Sequence, residues 1–269
     1  MRRILLLTDF SDHALNAAEF AVRLYGTEDT AFTLLHAFLS PNSATAQMWA
    51  IDEMLMKENV EGLRLVEEKL RQRVDLGASR IDRVCEHGDL PNVVDRLTAE
   101  RGFDVVVTGA QGTTGLERVF FGSNAADVLA RSHVPVLVVP GQARYEDPRR
   151  IILADDGRGA SAASIRPLLD IARWHKAEVM IVRVVAEEAE DSASSTTSYD
   201  EFMGAIPHSH HTVSGDNVVT ALHDLADQSD AHLIAMLHRR RGVFDQIFHR
   251  SSSKRMVMHT HIPMLVLEQ

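Results

Sequence analysis

Short apolar runs alternate with amphipathic stretches along the whole chain. In the first half, runs rich in Val, Ile and Leu at 3–8, 32–38, 81–86, 104–109 and 135–139 predict strands. They do not alternate apolar with polar residues, which predicts strands covered on both faces. Stretches 11–25, 44–75, 90–101 and 123–132 predict helices. The second of these carries Met54, Leu55, Leu63, Val66, Leu70 and Val74 as an imperfect helical stripe between charges. Strand–helix alternation calls for a parallel sheet with right-handed crossovers and helices on both sides.

The pattern occurs twice. Arg2-Arg3-Ile4-Leu5-Leu6-Leu7-Thr8-Asp9 returns as Arg149-Arg150-Ile151-Ile152-Leu153-Ala154-Asp155-Asp156. His133-Val134-Pro135-Val136-Leu137-Val138-Val139 returns as His261-Ile262-Pro263-Met264-Leu265-Val266-Leu267, and Gly88-Asp89 with Asn92-Val93-Val94 answers Gly215-Asp216-Asn217-Val218-Val219. Three matches in order predict two copies of one domain, 1–140 and 149–269, joined by a Gly-, Pro- and charge-bearing segment, 141–148. A single larger sheet fits the order of elements poorly. The second copy is reduced. Its strand 178–185 leads into Glu187–Asp200, an acidic, Ser/Thr-rich stretch whose composition predicts a mobile loop, with the long second helix shrunk or lost.

Composition narrows the partners. The 269 residues carry 28 Lys and Arg against 38 Asp and Glu, a net charge of −10. An acidic whole argues against non-specific nucleic-acid binding and against docking on an anionic membrane. No apolar run approaches the ~20 residues of a membrane span. The opening residues lack the long apolar core of an export signal, and the single cysteine, Cys85, cannot form an internal disulfide. Both predict a cytoplasmic location. Cys85 stands beside Glu86, which would not lower a thiol pKa, so a buried, inert cysteine is expected.

The strongest local chemistry lies at Asp104–Asn124. An apolar strand ends at Gly109, glycines follow at Gly112, Gly115 and Gly122, and Ser123 opens a helix. Glycines let the backbone approach an anion, and the unpaired N–H groups of a helix start attract one. A plain glycine turn with a Ser cap fits the same residues. There is no G-x-x-x-x-G-K-[ST] sequence for P-loop phosphoryl transfer. The glycines also follow a late strand, whereas a dinucleotide fold places them after the first, where Thr8-Asp9-Phe10-Ser11 stands.

Gly109-x2-Gly112-x9-Gly122-Ser123 resembles the nucleotide-binding signature of the universal stress protein family. Ile4-Leu5-Leu6-Leu7-Thr8-Asp9-Phe10-Ser11, Leu34-Leu35-His36-Ala37 and Val134-Pro135-Val136-Leu137-Val138-Val139 are similar to the same family. The resemblance covers nearly all of copy one and the ends and middle of copy two, so the chain looks like a tandem member. It implies two Rossmann-like open parallel five-stranded sheets of order 3-2-1-4-5, of the adenine nucleotide alpha-hydrolase-like type, paired as an internal pseudo-dimer or a homodimer. It further implies ATP, or ADP or AMP, held with Mg²⁺ or Mn²⁺ at the carboxyl ends of the strands. By that resemblance Thr8 and Asp9 meet the ribose or adenine side and Ala37 the adenine edge. Gly109 lies beside the ribose, while Gly112, Gly122, Ser123 and Asn124 hold the phosphates. The cation takes its ligands mainly from phosphate and water, and no protein metal ligand or catalytic residue is assigned. The implied role is ATP-dependent regulation in stress response through an unidentified protein client. The other reading, a slow ATPase or nucleotide-dependent enzyme using the same pocket, has only Glu117 and Arg118 in the loop as a base or water-positioning group.

Copy two departs from that signature. Aligned through Pro135 and Pro263, Gly109 becomes Leu237, Gly112 becomes Arg240 and Gly122 becomes Arg250; Ser123 persists as Ser251. Bulk where backbone should approach phosphate predicts no ATP there. The replacement is basic: His238-Arg239-Arg240-Arg241, His249-Arg250 and Lys254-Arg255 either hold an anion or a partner's acidic segment, or pair internally as a solvated face. Ten of the fourteen histidines fall in copy two. Strand alternation puts His208 and His210 on one face, but no carboxylate or thiol stands at a diagnostic spacing to complete a metal site.

Overall fold

The computed structural model describes residues 1–39, 46–77, 79–112, 119–120, 123–185, 197–215, 217–239, 257–258 and 261–269. Two units emerge, Met1–Ala110 with Asn124–Gly141, and Gln111–Ser123 with Gln142–Gln269.

In the first unit, β1 (Arg2–Leu7) leads to α1 (Asp12–Tyr25), β2 (Thr30–Phe38), α2 (Ala46–Arg73), β3 (Ile81–His87) and α3 (Leu90–Arg101). The chain continues through β4 (Val105–Gly112), then β5 (Val119–Phe120), which falls in the second unit, then α4 (Ser123–Arg131) and β6 (Val136–Pro140). The sheet order is β3-β2-β1-β4-β6, every pair parallel. This is the 3-2-1-4-5 arrangement that the resemblance implies. The strands are buried on both faces, as their unbroken apolar runs require: Ile4 and Leu5 are 0% exposed, and so are Leu34, Leu35 and Val106. Helices cover them through one apolar stripe each, Leu15, Ala18 and Val22 on α1 and Leu63, Val66 and Leu70 on α2. Ser11 caps α1 by accepting from the Ala14 N–H at 3.2 Å, and Gly26 ends it at φ +67°, where a side chain would be strained.

The second unit repeats the plan with β7 (Arg150–Asp155), α5 (Ala162–His175), β8 (Glu178–Val185), α6 (Thr197–Met203) and β9 (His208–Ser214). It continues through α7 (Val218–Ser229), β10 (Leu233–His238), β11 (Val257–Met258) and β12 (Met264–Glu268). Its order is β9-β8-β7-β10-β12, again parallel. Residues 111–123 group with this unit, where β5 pairs antiparallel with β11. Ser161 caps α5, accepting from the Ser164 N–H at 3.1 Å. Ser161→Ala is expected to cost about 1 kcal/mol, read from the urea midpoint.

Two sequence expectations change here. The second helix is shrunk to a seven-residue remnant, α6, as expected, but Tyr199 and Asp200, expected in a mobile loop, belong to it. The physical reason is an apolar pair at helical spacing: Tyr199 is 1% and Met203 0% exposed, so this short turn has a buried side. The rest of the acidic stretch, 187–196, lies outside the described residues. Cys85 is half-buried rather than buried.

Candidate functional site

Register brings the carboxyl ends of three strands of the first unit together. Leu7 pairs with Leu35 across β1 and β2, and Leu6 with Val107 across β1 and β4. Thr8, Asp9, Ala37 and Gly109 therefore share one edge of this sheet. That edge is where open parallel sheets bind ligands.

Each residue there is held in a different way. Thr8 is buried, and its Oγ1 accepts from the Phe10 N–H at 3.0 Å. Asp9 is exposed; its Oδ1 accepts from the Ser11 N–H at 3.1 Å and from the Ser11 hydroxyl. Asp9 thus fixes the capping serine rather than capping α1 itself. Between them Phe10 sits at φ +68°, a left-handed conformation that is costly for a bulky residue. Its ring is held against His36, with centroids 4.2 Å apart, and against Gly62 of α2, where a Cβ would come within 2.8 Å. The His36 Nδ1–H in turn donates to the Thr8 carbonyl at 2.8 Å, tying the end of β2 to the turn after β1. His36 and Phe10 were not assigned roles from sequence, although both stand within the quoted motifs.

Gly109 is demanded by packing. A Cβ there would lie 2.9 Å from the His13 carbonyl oxygen and 3.2 Å from the Ala14 nitrogen, so α1 begins directly against the end of β4. Gly141 is constrained by the same residue, since a Cβ there would collide with the His13 imidazole. Gly112 is the last residue of β4 and pairs with Val119 of β5, so the strand runs further than the sequence pattern predicts and turns back. Ser123 and Asn124 open α4, as expected, and Gly122, Glu117 and Arg118 lie outside the described residues. An exposed carboxylate at the β1 end and a helix beginning at Ser123 are donor and acceptor types that suit a ribose and a phosphate.

The corresponding edge of the second unit is built differently. Asp155 and Asp156 stand where Thr8 and Asp9 stand, and each side chain is only 6% exposed. The Arg183 Nε–H donates to Asp155 Oδ2 at 3.1 Å, and the Tyr199 hydroxyl donates to its Oδ1 at 3.1 Å. Arg183 occupies the position of His36. Arg239 pairs with Asp156 at 3.2 Å and also donates to the Gly159 carbonyl and to Gln269. Burial, and then the Asp155 carboxylate, push the Tyr199 phenol up. This edge is therefore filled by paired charges of its own chain. Among the basic residues singled out in copy two, Arg239 is internally paired; residues 240–256 lie outside the described part. Leu237, aligned with Gly109, is 3% exposed in β10. The connection from β7 to α5 (156–161) is longer than that from β1 to α1 (8–11), so α5 need not start against the strand.

Cys85 lies on β3. Burial, and then the Glu86 carboxylate, raise its thiol above the ordinary range.

Two parallel sheets of this order, each with its loops gathered at the carboxyl edge, define a duplicated Rossmann-like α/β protein. The chain belongs to the universal stress protein family, whose family model matches residues 1–140 and 148–268. It is 30% identical over 142 residues to a universal stress protein of Methanocaldococcus jannaschii, covering 51% of this chain and 81% of that one. Universal stress protein G of Shigella flexneri is 31% identical over 134 residues, covering 49% and 89%. Among solved structures, a universal stress protein from Archaeoglobus fulgidus superposes with a TM-score of 0.74 at 18% identity, covering 99% and 98% of the two chains, a likeness of fold. Among the described residues, no helix is long and apolar enough to cross a membrane.

Proposed function

We propose that the protein is a nucleotide-responsive stress regulator whose first domain binds ATP and whose second domain does not. Thr8, Asp9 and Ala37 contact the nucleoside, Gly109 lies beside the ribose, and Gly112, Gly122, Ser123 and Asn124 hold the phosphates. Mg²⁺ or Mn²⁺ is carried in by the phosphate oxygens rather than by a dedicated set of side chains. The second domain acts as pseudo-dimer partner and as the surface that meets a protein client in the cytoplasm.

The observation that carries this reading is the contrast between two equivalent aspartates. Asp9 is exposed at its strand end, while Asp156 is buried and neutralised by Arg239. A ligand entering the second edge would have to break that pair and leave a buried carboxylate with only the more exposed Arg158 at 4.0 Å as a charged partner, which is costly. A ligand at the first edge meets no such obstacle from Asp9. Regulation then follows from differential affinity, with ATP favouring whichever state of the first domain it binds best.

Isothermal titration with Mg-ATP should give one nucleotide per chain. Gly122→Val should abolish that binding while leaving the circular dichroism spectrum unchanged, because a branched side chain stands where backbone must approach phosphate. Two nucleotides per wild-type chain, or undiminished affinity in the variant, would refute the assignment.

A further inference from the structure

Nucleotide chemistry leaves the histidines of β9 unexplained. His208 and His210 alternate along this edge strand and face the same way, and both direct Nε2 at one oxygen, Asp200 Oδ1, at 3.2 and 2.7 Å. The three ligand atoms lie within 4.8 Å of one another. We propose that Asp200, His208 and His210 form a binding site for a divalent transition metal of the zinc class, with one open position for water.

Hydrogen bonding sets the first part of the case. His208 Nδ1 lies 2.9 Å from the Ile206 carbonyl oxygen, which can only accept, so Nδ1 carries the hydrogen. In the neutral ring Nε2 is then a lone pair, and it points at a carboxylate oxygen, another lone pair. Two acceptors at that distance repel unless a proton or a metal ion lies between them. A backbone carbonyl that fixes one ring nitrogen and leaves the other free is the usual outer-shell support of a metal-bound histidine.

Geometry supplies the second part. Two imidazoles and one carboxylate with open positions make a common site for Zn²⁺, Co²⁺ or Fe²⁺. Bonds of about 2.0–2.1 Å separate tetrahedral ligands by roughly 3.3 Å, close to the 3.2 Å of the His208 pair and reached from the His210 pair by a small opening. The two histidine ligands are partly sheltered, their side chains 23% and 31% exposed, while that of Asp200 is 53% exposed.

Rigidity is the third part. Asp200 sits on α6 beside Tyr199, whose side chain is buried and whose hydroxyl donates to Asp155, and Met203 buries the far end of the same short helix. The carboxylate is thereby held over β9 by its own helix. A second group, His223, Asp227 and His261, has separations of 3.4 and 3.6 Å, but its two histidines reach different oxygens of Asp227 and the His261 side chain is 64% exposed, so it serves as the control.

Cobalt titration of the untagged full-length chain at slightly alkaline pH, where imidazole is neutral, tests this. The expected result is one Co²⁺ per chain with the intense visible absorption of a low-coordinate site, displaced by Zn²⁺. His210→Gln and Asp200→Asn should each weaken binding at least ~100-fold, more than loss of an outer-shell partner does. Both variants should keep the metal-free melting temperature of the wild type, and His208→Gln gives an independent check on the same ligand set. His261→Gln should leave the spectrum unchanged, and Gly122→Val should lose ATP yet keep cobalt, which separates this site from the nucleotide reading. Failure to bind, a weak six-coordinate spectrum, or absorption that survives His210→Gln would show a protonated histidine–aspartate cluster only and overturn the proposal.

Discussion

Replacing Gly109 by leucine, the residue of the second domain at the same place, is expected to destabilise the first unit by about 3 kcal/mol. The added Cβ would lie 2.9 Å from the His13 carbonyl oxygen, and the contact is with backbone, which cannot rotate away. Overpacking of this kind costs roughly 1–3 kcal/mol, and this position stands at the upper end because a helix start must shift. Urea unfolding of the full chain, followed by a probe in the first domain, would show a lowered midpoint. Gly109→Ala should already show part of it. The reciprocal change, Leu237→Ala, removes a side chain only 3% exposed and should cost a similar ~3 kcal/mol, here from an unfilled cavity. If Gly109→Leu is neutral, the glycine is not needed for the approach of α1.

Arg239→Met is expected to cost about 3–5 kcal/mol. The Asp156 side chain is 6% and that of Arg239 12% exposed, so the Arg239 guanidinium is the nearest charge to a carboxylate taken out of water, helped by the Arg158 N–H at 3.1 Å and the more exposed Arg158 guanidinium at 4.0 Å. Methionine keeps the stem of the arginine and removes its charge, which isolates the ionic part of the loss. The double variant Asp156→Asn with Arg239→Met should recover most of the stability, since the stranded charge is then gone. Neither variant should gain nucleotide, because Arg240 and Arg250 still replace the glycines. A loss below about 1 kcal/mol, the range of exposed pairs, would mean that water reaches the pair freely.

Much of the fold is legible in the chain because its strands are apolar on both faces and its helices carry one stripe each. The helix 90–101 and the strand 178–185 fall where the pattern predicts them. What periodicity cannot carry is contact across distance. Gly109 looks like a ligand-approach glycine, yet the close neighbour in the structure is the start of α1, and sequence holds no record of how near that helix comes. Asp200 went unassigned as a partner for His208 and His210 because it stands in a Ser/Thr-rich acidic stretch. Only Tyr199 and Met203, four residues apart, betray a helix there. The basic tract of copy two leaves binding and internal pairing open, and Arg239 resolves for pairing because Asp156 folds beneath it.

The lone sulfhydryl has a consequence for survival under oxidative conditions. Half-sheltered on β3 next to a carboxylate, Cys85 is held in its protonated form, and peroxide attacks the deprotonated one. With no second cysteine in the chain to complete a bridge, this thiol offers oxidants a slow target and no internal crosslink.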